Sequence, residues 1–154
     1  MPLGNLTSQF FANVYLNELD HFVKHKLKSK YYIRYVDDFV ILHNNYKILE
    51  RYKKLISKFL IENLKIELHQ DKSKIIKLKN GVSLLGYRVY YHHKLLRKSN
   101  KRKFERDFSE KLSLYKAGFL SYEDLIFSMQ GWFGYSMWAD TYKLRKDTLK
   151  QLII

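Results

Sequence analysis

The chain has 154 residues, with 29 Lys plus Arg against 15 Asp plus Glu and a formal net charge of +14. That length fits one domain or one compact piece of a larger protein. Hydrophobic residues at 46%, with 13 Tyr and 10 Phe, exclude a disordered basic tail and call for a packed core with a polyanionic partner. The absence of Cys excludes a disulfide framework, a thiolate zinc site and a cysteine nucleophile. No apolar run approaches the ~20 residues that span a bilayer. The segment from Met1 to Phe11 lacks the basic start of a signal peptide, so the expected location is cytoplasmic.

Thr7 or Ser8 can cap a first helix running to about Leu27, with Phe11, Val14, Leu19 and Val23 at helical spacing. Tyr31 to Tyr35 and Phe39 to His43 read as the two strands of a hairpin with Val36, Asp37 and Asp38 between them. Asn44 and Asn45 can cap a second, amphipathic helix carrying Ile48, Tyr52, Ile56, Phe59 and Leu60. Leu64 to Leu68 reads as a short extended piece. Ile75 to Lys79 and Val82 to Tyr91 flank Asn80-Gly81, a two-residue hairpin signal. Asn100 can cap a helix with Phe104, Phe108, Leu112 and Tyr115, stopped at Gly118. Ser121 with Asp124 has the form of a capping box opening a further helix. A last helical stretch holds Leu144, Leu149 and Leu152, while Trp132 and Trp138 read as core. The expected class is α+β: helix, hairpin, helix, hairpin, then helices only, with a boundary near residues 91–100.

The charge is unevenly placed. From Met1 to Val23 there is no Lys or Arg, only Glu18 and Asp20. Basic groups follow at Lys24 to Arg34 and at Lys72 to Lys79, and the densest is Arg97, Lys98, Lys101, Arg102, Lys103 and Arg106. Any one group fits a solvated face. Three with few acids between them fit a surface that tracks phosphates. No basic helix shows an apolar face for a membrane surface.

Tyr35-Val36-Asp37-Asp38 carries the sharpest chemistry. Two adjacent carboxylates at a hairpin tip repel each other, and a divalent metal is the usual compensation. The plain alternative is a turn, which Asp favours. His21 and His25 lie four apart, a spacing used by metal pairs, but no third ligand is in view.

Several motifs in order resemble those of a reverse transcriptase. Tyr35-Val36-Asp37-Asp38 resembles the metal-binding box of the palm. Pro2-Leu3-Gly4-Asn5-Leu6-Thr7-Ser8-Gln9 resembles the loop and helix start that contact template and incoming nucleotide. Ile66 to Lys74 resembles the segment bearing the family's mobile lysine, here Lys72. Leu84-Leu85-Gly86-Tyr87 resembles the primer-grip hairpin, with Leu84 where Phe is more frequent. The remainder, through Gly131-Trp132-Phe133-Gly134-Tyr135, is similar to the helical thumb of bacterial enzymes.

The resemblance implies a partial palm over residues 1–93 and a thumb over 94–154. It implies metal-dependent synthesis of DNA on an RNA template from deoxynucleoside triphosphates. Asp37 and Asp38 would bind Mg²⁺ and Lys72 would serve the leaving group. Pro2, Gly4, Asn5, Ser8, Gln9 and Tyr35 would handle nucleotide and template; Leu85, Gly86 and Tyr87 the primer; Lys98, Lys101, Arg102 and Arg106 the backbone of the primer–template duplex. The Leu3-to-Gln9 motif resembles the form in bacterial diversity-generating retroelements more than that of group II introns. That subtype implies error-prone copying, especially at adenines, and a small basic accessory protein.

The same residues make sense without the family. Gly4 lets backbone approach a nucleotide. The helix start after Thr7 offers N–H groups to phosphate, or is a simple cap. Gln9 can read a base edge. Lys72 could sit near pyrophosphate charge, or be one more solvated Lys. Gly86 could mark a bend in a packed hairpin.

Two-metal nucleotidyl transfer needs carboxylates from two strands. In the family another Asp stands on a strand well before the Gly4 loop, and neither that strand nor the fingers is recognisable here. Glu18 and Asp20 do not obviously replace it. The expectation is an unpaired edge on the Asp37 hairpin, an incomplete metal site, and weak nucleic-acid binding without polymerisation until a fingers-bearing portion is supplied in cis or in trans. A non-catalytic nucleic-acid-binding module is the second reading. A protein-interaction domain is the third, and nothing in the sequence favours it.

Overall fold

The computed structural model describes residues 6–152, so Pro2, Gly4 and Asn5, expected at the nucleotide and template, lie outside the described residues. Helices and two small antiparallel sheets give a mixed architecture consistent with the α+β class. The chain divides into two compact units, Met1–Ile75 and Ile76–Ile154. None of the described helices is long and apolar enough to cross a membrane.

The first unit opens with α1, Leu6–His21, which continues as a π turn from Phe22 to Lys26. Leu27 N–H donates to Phe22 O at 3.0 Å, and Lys28, at φ 52°, ends the run. The wider turn leaves Val23 buried and lays Phe22 flat on Phe59, with ring centroids 4.3 Å apart. β1, Tyr31–Tyr35, pairs antiparallel with β2, Asp38–Leu42, with Tyr35 opposite Asp38. The turn therefore holds two residues, Val36 and Asp37. Asp38 starts the strand instead of completing the turn. Among the described residues each of these strands has only the other as neighbour.

Helix α2, Tyr46–Leu64, is capped by Asn45, whose Oδ1 accepts from the N–H groups of Lys47 and Ile48. Its apolar stripe delivers Ile56, Leu60 and Leu64 to Leu19 and Val23. Tyr32, Phe39 and Ile41 of the hairpin pack on the same cluster. A lone two-stranded hairpin is marginal in water, so this helix layer is what stabilises it. The residues after Leu64 form no strand, and Lys65 stops α2 at φ 51°.

The second unit corrects one expectation. The hairpin turn is not Asn80-Gly81 but Leu85-Gly86. It joins β3, Val82–Leu84, to β4, Tyr87–Val89, and β4 pairs on with β5, Lys94–Leu96. Leu85 at φ 51° and Gly86 at φ 81° both have the positive φ that the tightest hairpin turns require. Asn80 instead ends a 3₁₀ turn, where the Arg88 guanidinium donates to its carbonyl. Local turn preference lost to tertiary anchoring.

Helices α3, Lys98–Lys116, α4, Tyr122–Ser136, and α5, Tyr142–Lys150, complete the unit. Arg97, not Asn100, holds the cap position of α3. Gly118, at φ 78°, follows its end. Ser121 caps α4 by accepting from Asp124 N–H at 3.1 Å. Phe104, Phe108, Leu125, Met129 and Leu152 form the core, with Trp132 stacked on Phe104. Trp138 is a second correction: it lies outside the core, exposed in the turn after α4.

Truncating Leu125, which is wholly buried, to Ala should cost about 2–5 kcal/mol. Phe127→Ala, on the exposed side of the same helix, should stay within about 0.5 kcal/mol. Urea denaturation of both variants checks the contrast.

Candidate active site

β1 alternates. Tyr31, Ile33 and Tyr35 are exposed, while Tyr32 and Arg34 face the helices. An arginine in the inward register must find a partner, because an unpaired buried charge is expensive. Arg34 finds three. Its Nε and Nη2 form a two-pronged pair with the Asp20 carboxylate of α1 at 2.8 and 2.7 Å. Its Nη1 donates to Asn13 Oδ1 at 3.0 Å and to the Val36 carbonyl at 2.7 Å. Tyr32 Oη donates to Asp20 Oδ1, the oxygen that Nε also meets, at 2.6 Å. The two charged side chains are only 10% and 22% exposed.

The electrostatics follow from this geometry. Burial pushes the Asp20 carboxyl up, but hydrogen bonds from Arg34 and Tyr32 and the guanidinium charge outweigh it, so the net shift is downward. Burial, then the hydrogen bond to Asp20, pushes the Tyr32 phenol up and keeps it a donor. The bond to Asp20 raises Arg34 against burial, which works the other way. The last contact of Arg34 bears on the acidic tip. Val36 is β-branched and sits at φ 54°, a conformation such residues rarely adopt. The Val36 carbonyl is held by Arg34, and Asp20 and Asn13 hold Arg34 in turn.

Asp37 and Asp38 are exposed at this tip, with Asp37 in the turn and Asp38 opposite Tyr35 on the strand. Their hard oxygens suit Mg²⁺. Among the described residues no group of three or more His, Cys, Asp or Glu could hold a metal ion. The donor type fits a divalent cation, and the donor number does not complete its shell. His21 and His25 stack on each other with ring centroids 5.3 Å apart. Ser8 is half-buried and Gln9 exposed on the first turns of α1. Lys72 stands exposed on the loop after α2, and no hydrogen bond or ion pair joins it to Asp37 or Asp38 among the described residues.

In the second unit Leu85, Gly86 and Tyr87 form the β3–β4 turn and its exit. Asn100 Nδ2 donates to Tyr135 Oη at 3.2 Å, and Tyr135 Oη donates to the Leu85 carbonyl at 3.4 Å. Arg97 N–H takes the Gly86 carbonyl at 2.9 Å. A Cβ on Gly86 would overlap the Tyr135 hydroxyl and come within 2.7 Å of Asn100 Nδ2. The Tyr87 ring leans on Tyr135 at 4.7 Å, and its hydroxyl donates to the Tyr135 carbonyl at 2.7 Å. The carbonyls of the turn and the Tyr87 ring are thus all engaged within the unit.

Lys98, Arg102 and Arg106 stand at i, i+4 and i+8, one row along α3. Lys101 pairs with Glu105 at 3.5 Å and Arg106 with Asp107 at 3.3 Å, both at the surface, where such pairs exchange readily for phosphate. The first turn of α3 has no acid and carries Lys98 and Lys101, the sign the helix dipole disfavours. An anion there relieves that.

Sequence reasoning missed Arg34, Asp20, Tyr32 and Asn13, and also Tyr135 and Asn100 as anchors. The signal for the first group was present: Arg34 shares the inward register with Tyr32, and Asp20 is one of two acids before Lys24.

A braced hairpin with paired carboxylates at its tip, in a chain this basic, belongs to the class of proteins that handle nucleic acids. Residues 1–89 match the family described as reverse transcriptase (RNA-dependent DNA polymerase), and the chain belongs to that family. It is also similar to the COX1/OXI3 intron 2 protein of Saccharomyces cerevisiae, 45% identical over 67 residues. That stretch is 40% of this chain and spans 7% of the length of that relative.

Asp20 has a lowered carboxyl pKa in the fold, so its stabilisation is complete above the unfolded-chain value of about 3.9. It is lost as pH falls through the lower folded value. Asp20→Asn should therefore cost about 2–4 kcal/mol at neutral pH, and the gap to the unsubstituted chain should narrow as pH falls below the unfolded-chain value, as read by urea denaturation across pH. Gly86→Ala should also destabilise, by about 1–3 kcal/mol, and Tyr135→Phe should recover part of that loss by removing the hydroxyl the new methyl meets.

Proposed function

We propose that this chain supplies the metal-binding palm hairpin and the thumb of an RNA-directed DNA polymerase of a mobile retroelement, acting inside the cell. Residues 1–93 would form the palm part and 94–154 the thumb. The observation that carries the reading is the exposed Asp37-Asp38 tip, fixed by Arg34 and Asp20 within the segment that matches the family. Asp37, supported by Asp38, would hold Mg²⁺ together with a carboxylate from another segment; the metal's chemistry there is activation of the primer 3′-hydroxyl and neutralisation of the transferring phosphate. Ser8 and Gln9 would meet nucleotide and template, with Pro2, Gly4, Asn5 and Tyr35 beside them. Lys72 would reach the pyrophosphate charge. The Leu85-Gly86 turn would present backbone to the primer end. Lys98, Lys101, Arg102 and Arg106 would track the duplex.

The outer face of the hairpin supports a larger assembly. Tyr31, Ile33 and Tyr35 are each more than half exposed on a two-stranded sheet. Such a face is normally covered, and a fingers-bearing portion would cover it while supplying the missing carboxylate. The likeness to an intron protein favours an intron-type element, and the Leu3-to-Gln9 motif favours a diversity-generating one with an accessory protein.

The 154-residue chain is expected to bind a primed RNA template with Mg²⁺ present and not extend it. Co-expressed with a fingers-bearing segment it should extend, and Asp37→Asn should abolish extension without weakening hybrid binding. Extension by the purified chain alone, lost in Asp37→Asn, would show the metal site complete and overturn the split. A non-catalytic binding module is the second reading, supported by the incomplete donor set. It predicts indifference to Asp37 even in the complemented complex, with affinity and salt slope falling by about one unit per phosphate contact when Lys101 and Arg102 are neutralised.

A further inference from the structure

The second unit hides one tryptophan and presents the other. Trp132 lies on Phe104 with ring centroids 3.4 Å apart. Trp138 stands in the turn between α4 and α5 and is 70% exposed. An indole has more apolar surface to bury than any other side chain, and leaving it in water forgoes that stabilisation. The turn that carries it is not loose. Thr141 is buried and its Oγ1 donates to the Ser136 carbonyl at 2.6 Å. Asp140 N–H donates to the Lys94 carbonyl at 2.8 Å. The indole is thus held outward by a fixed backbone tied to β5.

The same strand puts a charge beside it. Lys94 Nζ lies 5.8 Å from the Trp138 ring centroid and 5.8 Å from that of Tyr87. No carboxylate pairs with Lys94 among the described residues. Tyr87 is the first residue after the Leu85-Gly86 turn, so the ammonium stands between the exposed indole and the base of that turn. An exposed aromatic plate with a cation over its ring matches one ligand chemistry: a base to stack and a phosphate to pair. The net charge of +14 excludes a basic partner and favours a polyanion.

We propose that Trp138 and Lys94 form a subsite for an unpaired nucleotide, the indole stacking on the base and the ammonium meeting the adjacent phosphate. This rests on the nucleic-acid reading above and adds to it a place for single strand, distinct from the α3 row that suits duplex phosphates. Bases inside a duplex are already stacked on their neighbours and cannot offer a face to Trp138.

The chain's two tryptophans make the test direct. In Trp132→Phe the only indole is Trp138. Acrylamide should quench it freely in the unbound chain, and a short single-stranded RNA should quench it on binding, while a blunt RNA–DNA hybrid should not. Trp138→Phe in the otherwise unsubstituted chain should lose that quench, which keeps the test valid if Trp132→Phe folds poorly. Trp138→Ala should weaken single-strand binding by about 5- to 150-fold and leave hybrid binding unchanged. Single-strand affinity unchanged in Trp138→Ala overturns the subsite but not the nucleic-acid reading. Equal losses on both probes overturn the assignment to an unpaired nucleotide. No binding of either probe by the unsubstituted chain overturns both readings.

Discussion

The pair between Arg34 and Asp20 is the constraint on which the first unit's chemistry depends. A two-residue turn with Val36 at positive φ is strained, and among the described residues the hairpin that carries it pairs with no further strand. Apolar packing of Tyr32, Phe39 and Ile41 fixes the hairpin's inner face on the helices. It does not reach the tip. Arg34 does, because one guanidinium spans the distance from a helix carboxylate to the turn carbonyl with rigid, planar donors. Lysine has the charge without the fork and could not hold both ends.

The second unit solves the same problem with different groups. Leu85, like Val36, is a residue with a Cβ at positive φ in a two-residue turn, and its carbonyl is likewise held by a side chain secured elsewhere. Tyr135 of α4 donates to it and Asn100 of α3 holds Tyr135. Lys28 and Lys65, the other described non-glycine residues at positive φ, follow helical runs instead. The two turns singled out in the sequence for metal and for primer are thus the two hairpin tips built on strained residues with anchored carbonyls. A strained turn persists only when its surroundings over-determine it, and here each tip is over-determined by its own unit.

The helices and the first hairpin were legible because their signals are local: spacing at 3.6 or 2, the Asn45 and Ser121 caps, and Gly118 after α3. The second hairpin was misplaced for a physical reason. Asn80-Gly81 has the better intrinsic turn chemistry, but Leu85 is made acceptable by Tyr135, 50 residues away, and no local rule sees that bond. The α3 start was displaced similarly: Asn100 looks like a cap, yet its side chain is committed to Tyr135. Tryptophan as a residue type favours the core; the outward position of Trp138 follows from the local bond of Thr141 to Ser136 and the tertiary bond of Asp140 to Lys94. Of the site, the carboxylates and the basic row were readable as residues, and the clamp behind the carboxylates was not.

That clamp also decides the charge at the tip. Arg34 lies three residues before Asp37, close enough along the chain for a flexible guanidinium to neutralise either carboxylate. Asp20 prevents this by taking both Nε and Nη2, and the remaining Nη1 is spent on Asn13 and the Val36 carbonyl. The positive charge nearest in sequence is therefore engaged on the inner face, while Asp37 and Asp38 stay exposed without a basic partner among the described residues. Two adjacent carboxylates left this way keep their hard oxygens open to a divalent cation. Asp20 thus does two jobs with one carboxylate: it anchors the strand that carries the tip, and it keeps the tip's own charge available.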